Sequence, residues 1–451
     1  MKQILTAKNI AVIGAAREEE KVGNVIFKNL IQNPKLKVYP VNPNAQEILG
    51  IRAYPDVLSI PYQVDLAVIV VKAELVPLVL EQCSAKKVFN VIIISAGFAE
   101  TGNTELDNEV KETAEKYKIK ILGPNVLGII NPHEELNISF FKQMPKKGNL
   151  SLVTQSGALG TAFLDKASTE NLGFSNFISL GNMMNTDFID ALEYLEKDKN
   201  THVISLYIES LKQETGIKFI ELCKRISKSK PILALKAGQT TQGEQAAKTH
   251  TASLSSPSSI YSGAFKQAGI IEVESFEELF NLSLVLSRYK DLGNRAVIIT
   301  NAGGFGVLAT DACIESQIQL PQIPDKTIKE LDKALNKINS HSNPLDILGD
   351  ALAKDYQSAI KTLESEKFFD FFIVILTPQQ MTQPLVTAQV LTKSKKPVLA
   401  CYIGGNMLQE SIKFLKQNQI PVFDDVSKLK ILSKIPIKKS LIKRFFSYLH
   451  K

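Results

Sequence analysis

Only four cysteines occur in 451 residues, Cys83, Cys223, Cys313 and Cys401, and no two of them form a CxxC pair. Far apart and in largely apolar segments, they exclude a disulfide framework or thiolate zinc site and read as reduced, buried thiols. Histidine is almost as sparse, with five in the chain. His133 follows Pro132 in a turn, His202 precedes an apolar run, His341 lies between serines and His450 is in the tail. No pair has metal-ligand spacing, so no metal site is expected. No stretch approaches the ~18 apolar residues of a membrane span, and Lys8 and Asn9 interrupt the start before it becomes an export signal. A cytoplasmic protein is expected. The net charge of +7 is modest, with clustering only at Lys438, Lys439, Lys443 and Arg444, a solvated basic tail. Without a basic stripe interleaved with aromatics a nucleic-acid role is not expected, whereas mild positive charge suits anionic small ligands.

What is present is globular throughout. Hydrophobic residues make up 44% and charged residues 22%, enough apolar surface for every part to fold. The length favours about three domains of roughly 150 residues. Short apolar runs ending in glycine or a turn, each followed by an amphipathic segment, recur along the chain, the rhythm of parallel α/β units. The first set of strands falls at 10–13, 38–41, 66–71, 91–95 and 119–122. A lysine- and proline-bearing segment, 142–148, precedes a second set at 150–154, 177–180, 203–208 and 231–236. A polar stretch, 289–294, precedes a third at 296–300, 371–376 and 398–402. The expectation is three doubly wound α/β domains, at 1–140, 148–288 and 294–436, then a tail from 437.

A partial internal repeat links the second and third domains. Thr154-Gln155-Ser156-Gly157-Ala158-Leu159-Gly160 is followed by Asp165, and Thr300-Asn301-Ala302-Gly303-Gly304-Phe305-Gly306 by Asp311 at the same distance. Both follow an apolar strand, so each predicts a strand, a glycine turn and a helix whose first N–H groups are open to a phosphate. Glycines that merely permit tight turns would produce the same pattern.

In the first domain Gly14 ends a strand and Gly23 opens the next helix, a phosphate-type turn without the GxGxxG spacing. The second strand ends in Val41-Asn42-Pro43, where a NAD site has a ribose-binding acid. Its absence suits a nucleotide with a phosphate on its ribose, CoA or NADP. Two loops fall at the ligand-binding edge, Ser95-Ala96-Gly97-Phe98 and Gly123-Pro124-Asn125-Val126-Leu127-Gly128, where small residues admit a narrow ligand close to backbone.

His250 differs from the other histidines. It lies in a run, 238–259, rich in Gly, Ala, Ser, Thr and Gln and almost devoid of large apolar side chains. Core packing cannot hold such a segment, which reads as a mobile surface loop. The imidazole is either a solvated linker residue or a nucleophile that accepts a phosphoryl group. Glu209, at the carboxyl end of the strand at 203–208, is placed to orient the ring, or is an ordinary strand-end acid.

In order along the chain, VIGAA with KVG, YPVNP, VDLAVIVV, ISAGFAETG, ILGPNVLGIINP, TQSGALGTA, SLGN, YIES, LKAGQT with THTASLSS, TNAGGFGVLATDA and NPLDILGDA resemble the ADP-forming acetate–CoA ligases and related acyl-CoA synthetases, relatives of succinyl-CoA synthetase. The resemblance covers about 8–423. It implies a Rossmann-like CoA-binding domain followed by two flavodoxin-like domains. By the same resemblance His250 is the phosphorylated histidine and Glu209 its supporting carboxylate. Ser156, Gly157, Ala302, Gly303 and Gly304 start the phosphate-stabilising helices. Gly14, Ala15, Ala16, Lys21, Val22, Gly23, Asn42, Pro43, Val71, Ser95, Ala96, Gly97, Phe98, Asn125 and Gly128 are the implied CoA contacts. Phosphate would cleave acyl-CoA to acyl phosphate and CoA, and His250 would take the phosphoryl group. ADP, with Mg²⁺, would receive it on a separate ATP-grasp β subunit in an α2β2 assembly, since neither a Walker P-loop nor an ATP-grasp segment is legible here. Ala16, Val126, Ala252 and Phe305 depart from the family's usual serine, cysteine, glycine and proline. The alternatives are a CoA-binding module serving a protein acetyltransferase and a non-catalytic CoA sensor.

Overall fold

The computed structural model describes residues 1–212, 214–243, 245, 258–335 and 340–435. Two compact units emerge, one of Met1–Ser168 with Leu172–Leu279, the other of Thr169–Asn171 with the chain from Phe280 onward.

The first unit holds two large sheets and a small antiparallel pair, Glu47–Ile48 with Ile51–Arg52. Strands β1 (Asn9–Ile13), β2 (Lys37–Val41), β3 (Leu66–Ile69), β4 (Asn90–Ile93) and β5 (Lys120–Leu122) form an all-parallel sheet in the order β2-β1-β3-β4-β5. Helices α1 (Val22–Ile31), α2 (Val76–Ala85) and α3 (Thr104–Tyr117) connect them. The strands are nearly continuous apolar runs because helices cover both faces, and Ile10, Val12, Leu66, Val68, Ile92 and Ile121 are buried.

A hairpin, β6 (Gly128–Asn131) and β7 (Leu136–Ser139), then joins a second sheet rather than the first. That sheet continues with β8 (Lys147–Thr154), β9 (Phe174–Ser179), β10 (Val203–Ile208), β11 (Ile232–Lys236) and β12 (Ile271–Val273). Its order is β12-β11-β10-β8-β9-β6-β7, parallel except where β6 runs against β9 and β7. Its helices are α4 (Gly157–Thr169), α5 (Phe188–Lys197), α6 (Gly216–Ile226) and α7 (Ser258–Ala268). Asp187 caps α5: its carboxylate accepts from the N–H groups of Ile189 and Asp190, and Asp190 returns a bond to the N–H of Asp187.

In the second unit β13 (Ala296–Thr300), β14 (Leu345–Asp346), β15 (Phe371–Leu376), β16 (Val398–Tyr402) and β17 (Val422–Phe423) form a parallel sheet ordered β14-β13-β15-β16-β17. Numbered from its own first strand, each parallel set has the order 2-1-3-4-5. The expected three doubly wound α/β domains are therefore present. In each, the strand order reverses beside the first strand, and ligands of such sheets bind at the carboxyl ends there.

Candidate active site

In the first domain the turn after β1 is shaped by two glycines. Gly14 has φ +96°, and a Cβ on Gly23 would lie 2.1 Å from the Gly14 carbonyl oxygen, so strand end and helix start meet as bare backbone. Ala15 and Ala16 are buried, whereas Lys21 and Val22 are exposed at the start of α1. Asn42 Nδ2 donates to Ala15 O at 2.8 Å and its Oδ1 accepts from Asn44 N at 2.8 Å, which holds the turn against the end of β2; Pro43 is exposed. Ser95 donates to Val71 O, and Asn125, at φ +61°, donates through its N–H to Ser95 O at 2.9 Å. These bonds bring the turns after β3, β4 and β5 together. Ala96 is exposed and Gly97 half-buried, while Phe98 is buried. Gly128 sits in β6, where a Cβ would lie 1.9 Å from Ile138 O, so hairpin packing alone requires glycine. Asn24 was not singled out from the sequence. It is buried in the first turn of α1 and donates to Ala16 O at 2.9 Å and Arg17 O at 3.2 Å, fixing the βα turn from beneath.

The second domain places Glu209 directly after β10, beside the helix start after β8. Thr154 Oγ1 accepts from Ser156 N at 3.1 Å and donates to Ser156 O at 2.9 Å, turning the chain sharply into α4. Ser156 Oγ accepts from Leu159 N at 3.3 Å, and the N–H groups of Gly157 and Ala158 have no intrahelical acceptor. Gln155 Oε1 accepts from Glu209 N at 2.6 Å and Ser210 N at 3.0 Å, locking the two strand ends together. Glu209 is 6% exposed. Burial pushes the Tyr207 phenol up to about 12, and the charge of Glu209 and a hydrogen bond to it act in the same direction. Tyr207 therefore stays protonated and donates to the carboxylate. One strand further, opposite Ile208, Lys236 is only 2% exposed; its ammonium donates to Ala237 O and lies 4.7 Å from the centre of the Tyr261 ring. Beside the buried Glu209, the uncapped N–H groups at the start of α4 are the part of this sheet edge able to donate to an anion.

In the third domain the repeat has the same construction. Thr300 Oγ1 accepts from Ala302 N at 2.9 Å and donates to Ala302 O at 3.0 Å. Asn301 Oδ1 accepts from Thr377 N at 2.9 Å and Asn301 Nδ2 donates to Thr377 O at 2.9 Å, the counterpart of the Gln155 clamp. Helix α8 (Gly303–Glu315) starts from Ala302 without a side-chain cap. The position of Glu209 is taken here by Thr377, so only one copy carries the acid.

Two classes of glycine separate in these turns. A Cβ on Gly160 would meet the Phe177 ring at 2.8 Å, and one on Gly306 would meet Thr300 Cγ2 at 3.1 Å, so helix packing calls for both. At Gly157 the nearest atom would be in ordinary contact at 3.7 Å, and at Gly304 nothing lies within 4 Å. The fold does not need glycine at those two positions, and the bare helix starts there leave room beside their open N–H groups.

His250 and Ala252 lie outside the described residues. Among the described residues no group of three or more His, Cys, Asp and Glu side chains could hold a metal ion, and no helix is long and apolar enough to cross a membrane. Sequence reading passed over Gln155, Asn301, Tyr207 and Lys236. The signal available was an amide following threonine in both copies of the repeat.

Residues 8–132 match the CoA binding domain model, 147–286 the succinyl-CoA ligase like flavodoxin domain and 296–434 the ligase-CoA domain. An ADP-forming acetate–CoA ligase I of Archaeoglobus fulgidus is 42% identical over 94% of this chain, which spans 62% of that protein's length. The subunit alpha of ADP-forming acetate–CoA ligase II of Pyrococcus furiosus is 39% identical, with 92% of this chain and 93% of that one aligned. Among solved structures, acetyl-coenzyme A synthetase 1 of Ca. Korarchaeum cryptofilum in complex with phosphate and ADP superposes with a TM-score of 0.89 at 34% identity, over 95% of this chain and 94% of that one. The chain belongs to the family of ADP-forming acetate–CoA ligases.

Proposed function

We propose that this chain carries the CoA site and the phosphohistidine of an ADP-forming acyl-CoA synthetase, converting acyl-CoA, phosphate and ADP to free acid, CoA and ATP. The observation that carries the reading is the switch point of the second domain, where buried Glu209 adjoins the helix start Ser156–Gly157. In the proposed reaction CoA lies along the first domain, over the turns containing Gly14, Gly23, Asn42, Ser95, Gly97 and Asn125. A phosphate oxygen attacks the thioester carbonyl carbon; the C–S bond breaks, and CoA leaves as thiolate and takes up a proton. The acyl phosphate then gives its phosphoryl group to a ring nitrogen of His250 as the P–O bond to the acyl oxygen breaks and the free carboxylate departs. Glu209 accepts the hydrogen bond of the other ring N–H and stabilises the imidazolium. The N–H groups at the starts of α4 and α8 each offer donors to phosphoryl oxygens.

ADP and Mg²⁺ fall to an ATP-grasp β polypeptide, in an α2β2 assembly working in the cytoplasm. The subunit alpha name of the Pyrococcus relative supports a partner chain. The test is incubation of the chain and that partner with γ-labelled ATP. Acid-labile, base-stable label on this chain, lost in His250→Ala, is expected; stable CoA binding with no label in the wild type would refute the synthetase reading.

A further inference from the structure

Glu100 joins the two domains of the first unit. Its Oε1 accepts from the backbone N–H groups of Gly97 at 2.6 Å and Phe98 at 3.3 Å, and its Oε2 accepts from Asn182 Nδ2 at 2.6 Å. Asn182 belongs to the second domain, in the turn after β9. That turn is fastened to the one after β5. Asn182 N donates to Pro124 O at 3.0 Å, Met184 N to Gly123 O at 2.8 Å, and Asn125 Nδ2 to Asn182 Oδ1 at 3.4 Å. A Cβ on Gly181 would lie 2.2 Å from Pro124 O, so the two turns touch through backbone. Burial pushes the Glu100 carboxyl up, but the N–H of Gly97 and the amide of Asn182 outweigh it, and the group is held below its ordinary value.

Successive N–H groups beside a left-handed glycine form a small anion receptor. Here φ at Gly97 is +111°, and Glu100 fills that receptor from its own chain. The turn is therefore closed to a phosphate. A cavity of about 550 Å³ lined by Arg17, Asn44, Gln46, Glu47, Leu49 and Gly50 lies beyond the β2 edge of the sheet and is roomy and polar enough for a nucleotide. The reactive end of a bound CoA must reach the second domain, where Glu209 lies. Its arm then runs from the β2 edge toward the turns after β4 and β5, the ones tied to Asn182.

We propose that the Glu100–Asn182 pair is a positioning contact that fixes the thioester end of the CoA groove against the second domain, and so sets affinity for the pantetheine arm but not for the nucleotide end. This rests on the reading of the first domain as a CoA site.

The experiment is calorimetric titration of the full chain with CoA and, separately, with adenosine 3′,5′-bisphosphate, the nucleotide end alone. Asn182→Asp sets two carboxylates face to face and should weaken CoA about tenfold or more, with the bisphosphate unchanged within about twofold. Combining it with Glu100→Gln exchanges donor and acceptor and should restore CoA to within about threefold of wild type. Should Asn182→Asp not fold, Asn182→Ala is read in its place, with a loss of about three- to tenfold for CoA alone. Undiminished CoA binding in the single variants, equal loss of both ligands, or a folded double exchange without restoration would overturn the proposal. A wild-type chain that binds no CoA would overturn the CoA reading itself, and the positioning role with it.

Discussion

At the scale of single residues, the site is built around a carboxylate that is buried yet supplied with a donor, the Tyr207 phenol. Glu209 sits where a strand-end acid is expected, and that much is legible because the apolar run at 203–208 ends there. Its setting is not legible. Gln155 lies 54 positions away and meets Glu209 only because β8 and β10 are neighbours, and Tyr207 reaches it because alternate strand residues share a face. Glu209→Gln keeps the shape but removes the charge that, in the proposed mechanism, stabilises the imidazolium; phosphohistidine formation, followed by acid-labile label, should fall about 100-fold or more. Tyr207→Phe deletes one donor to the carboxylate, and the expected loss is about tenfold or less. A larger loss from Tyr207→Phe than from Glu209→Gln would contradict this ordering.

At the scale of elements, the strand–turn–helix unit occurs twice, and its glycines test which part serves packing. Gly160→Ala forces a methyl against the Phe177 ring and Thr154, at 2.8 and 3.1 Å; denaturant unfolding should show a loss of about 1–3 kcal/mol. Gly304→Ala meets nothing and gains helix propensity, so stability should hold or rise by up to about 1 kcal/mol while phosphoryl transfer falls. Equal effects on stability and transfer would remove the ligand argument. The repeat was readable because its turn chemistry is local. The hairpin β6–β7 was not: its strands are four residues each, are interrupted by Pro132–Glu134, and join the sheet only through β6 against β9, far along the chain. The short strands β12, β14 and β17 were missed for the same reason, since two or three residues carry no periodicity.

At the scale of the whole molecule, three largely parallel sheets bury polar hydrogens that alkali would remove. All four cysteines are buried, and burial pushes the thiols of Cys83, Cys223 and Cys313 up to about 12. Burial likewise pushes the phenols of Tyr194 and Tyr207 up to about 12. These groups stay protonated in the fold at pH values where the unfolded chain loses their protons. Their contribution is therefore complete below pH 9 and is lost as pH rises from 9 to about 12. Thermal unfolding midpoints should fall continuously through that window, and an aromatic thiol reagent at neutral pH should find no reactive cysteine until the chain unfolds.

The most direct test of the phosphohistidine requires no nucleotide and no partner. The chain is incubated with a series of acyl-CoA thioesters, acetyl-CoA among them, and labelled inorganic phosphate, and the label is located by peptide mass spectrometry. With at least one thioester, label on the ring of His250 is expected, dependent on acyl-CoA and absent from His250→Ala. Label that persists in His250→Ala, or that forms without acyl-CoA, would contradict the mechanism.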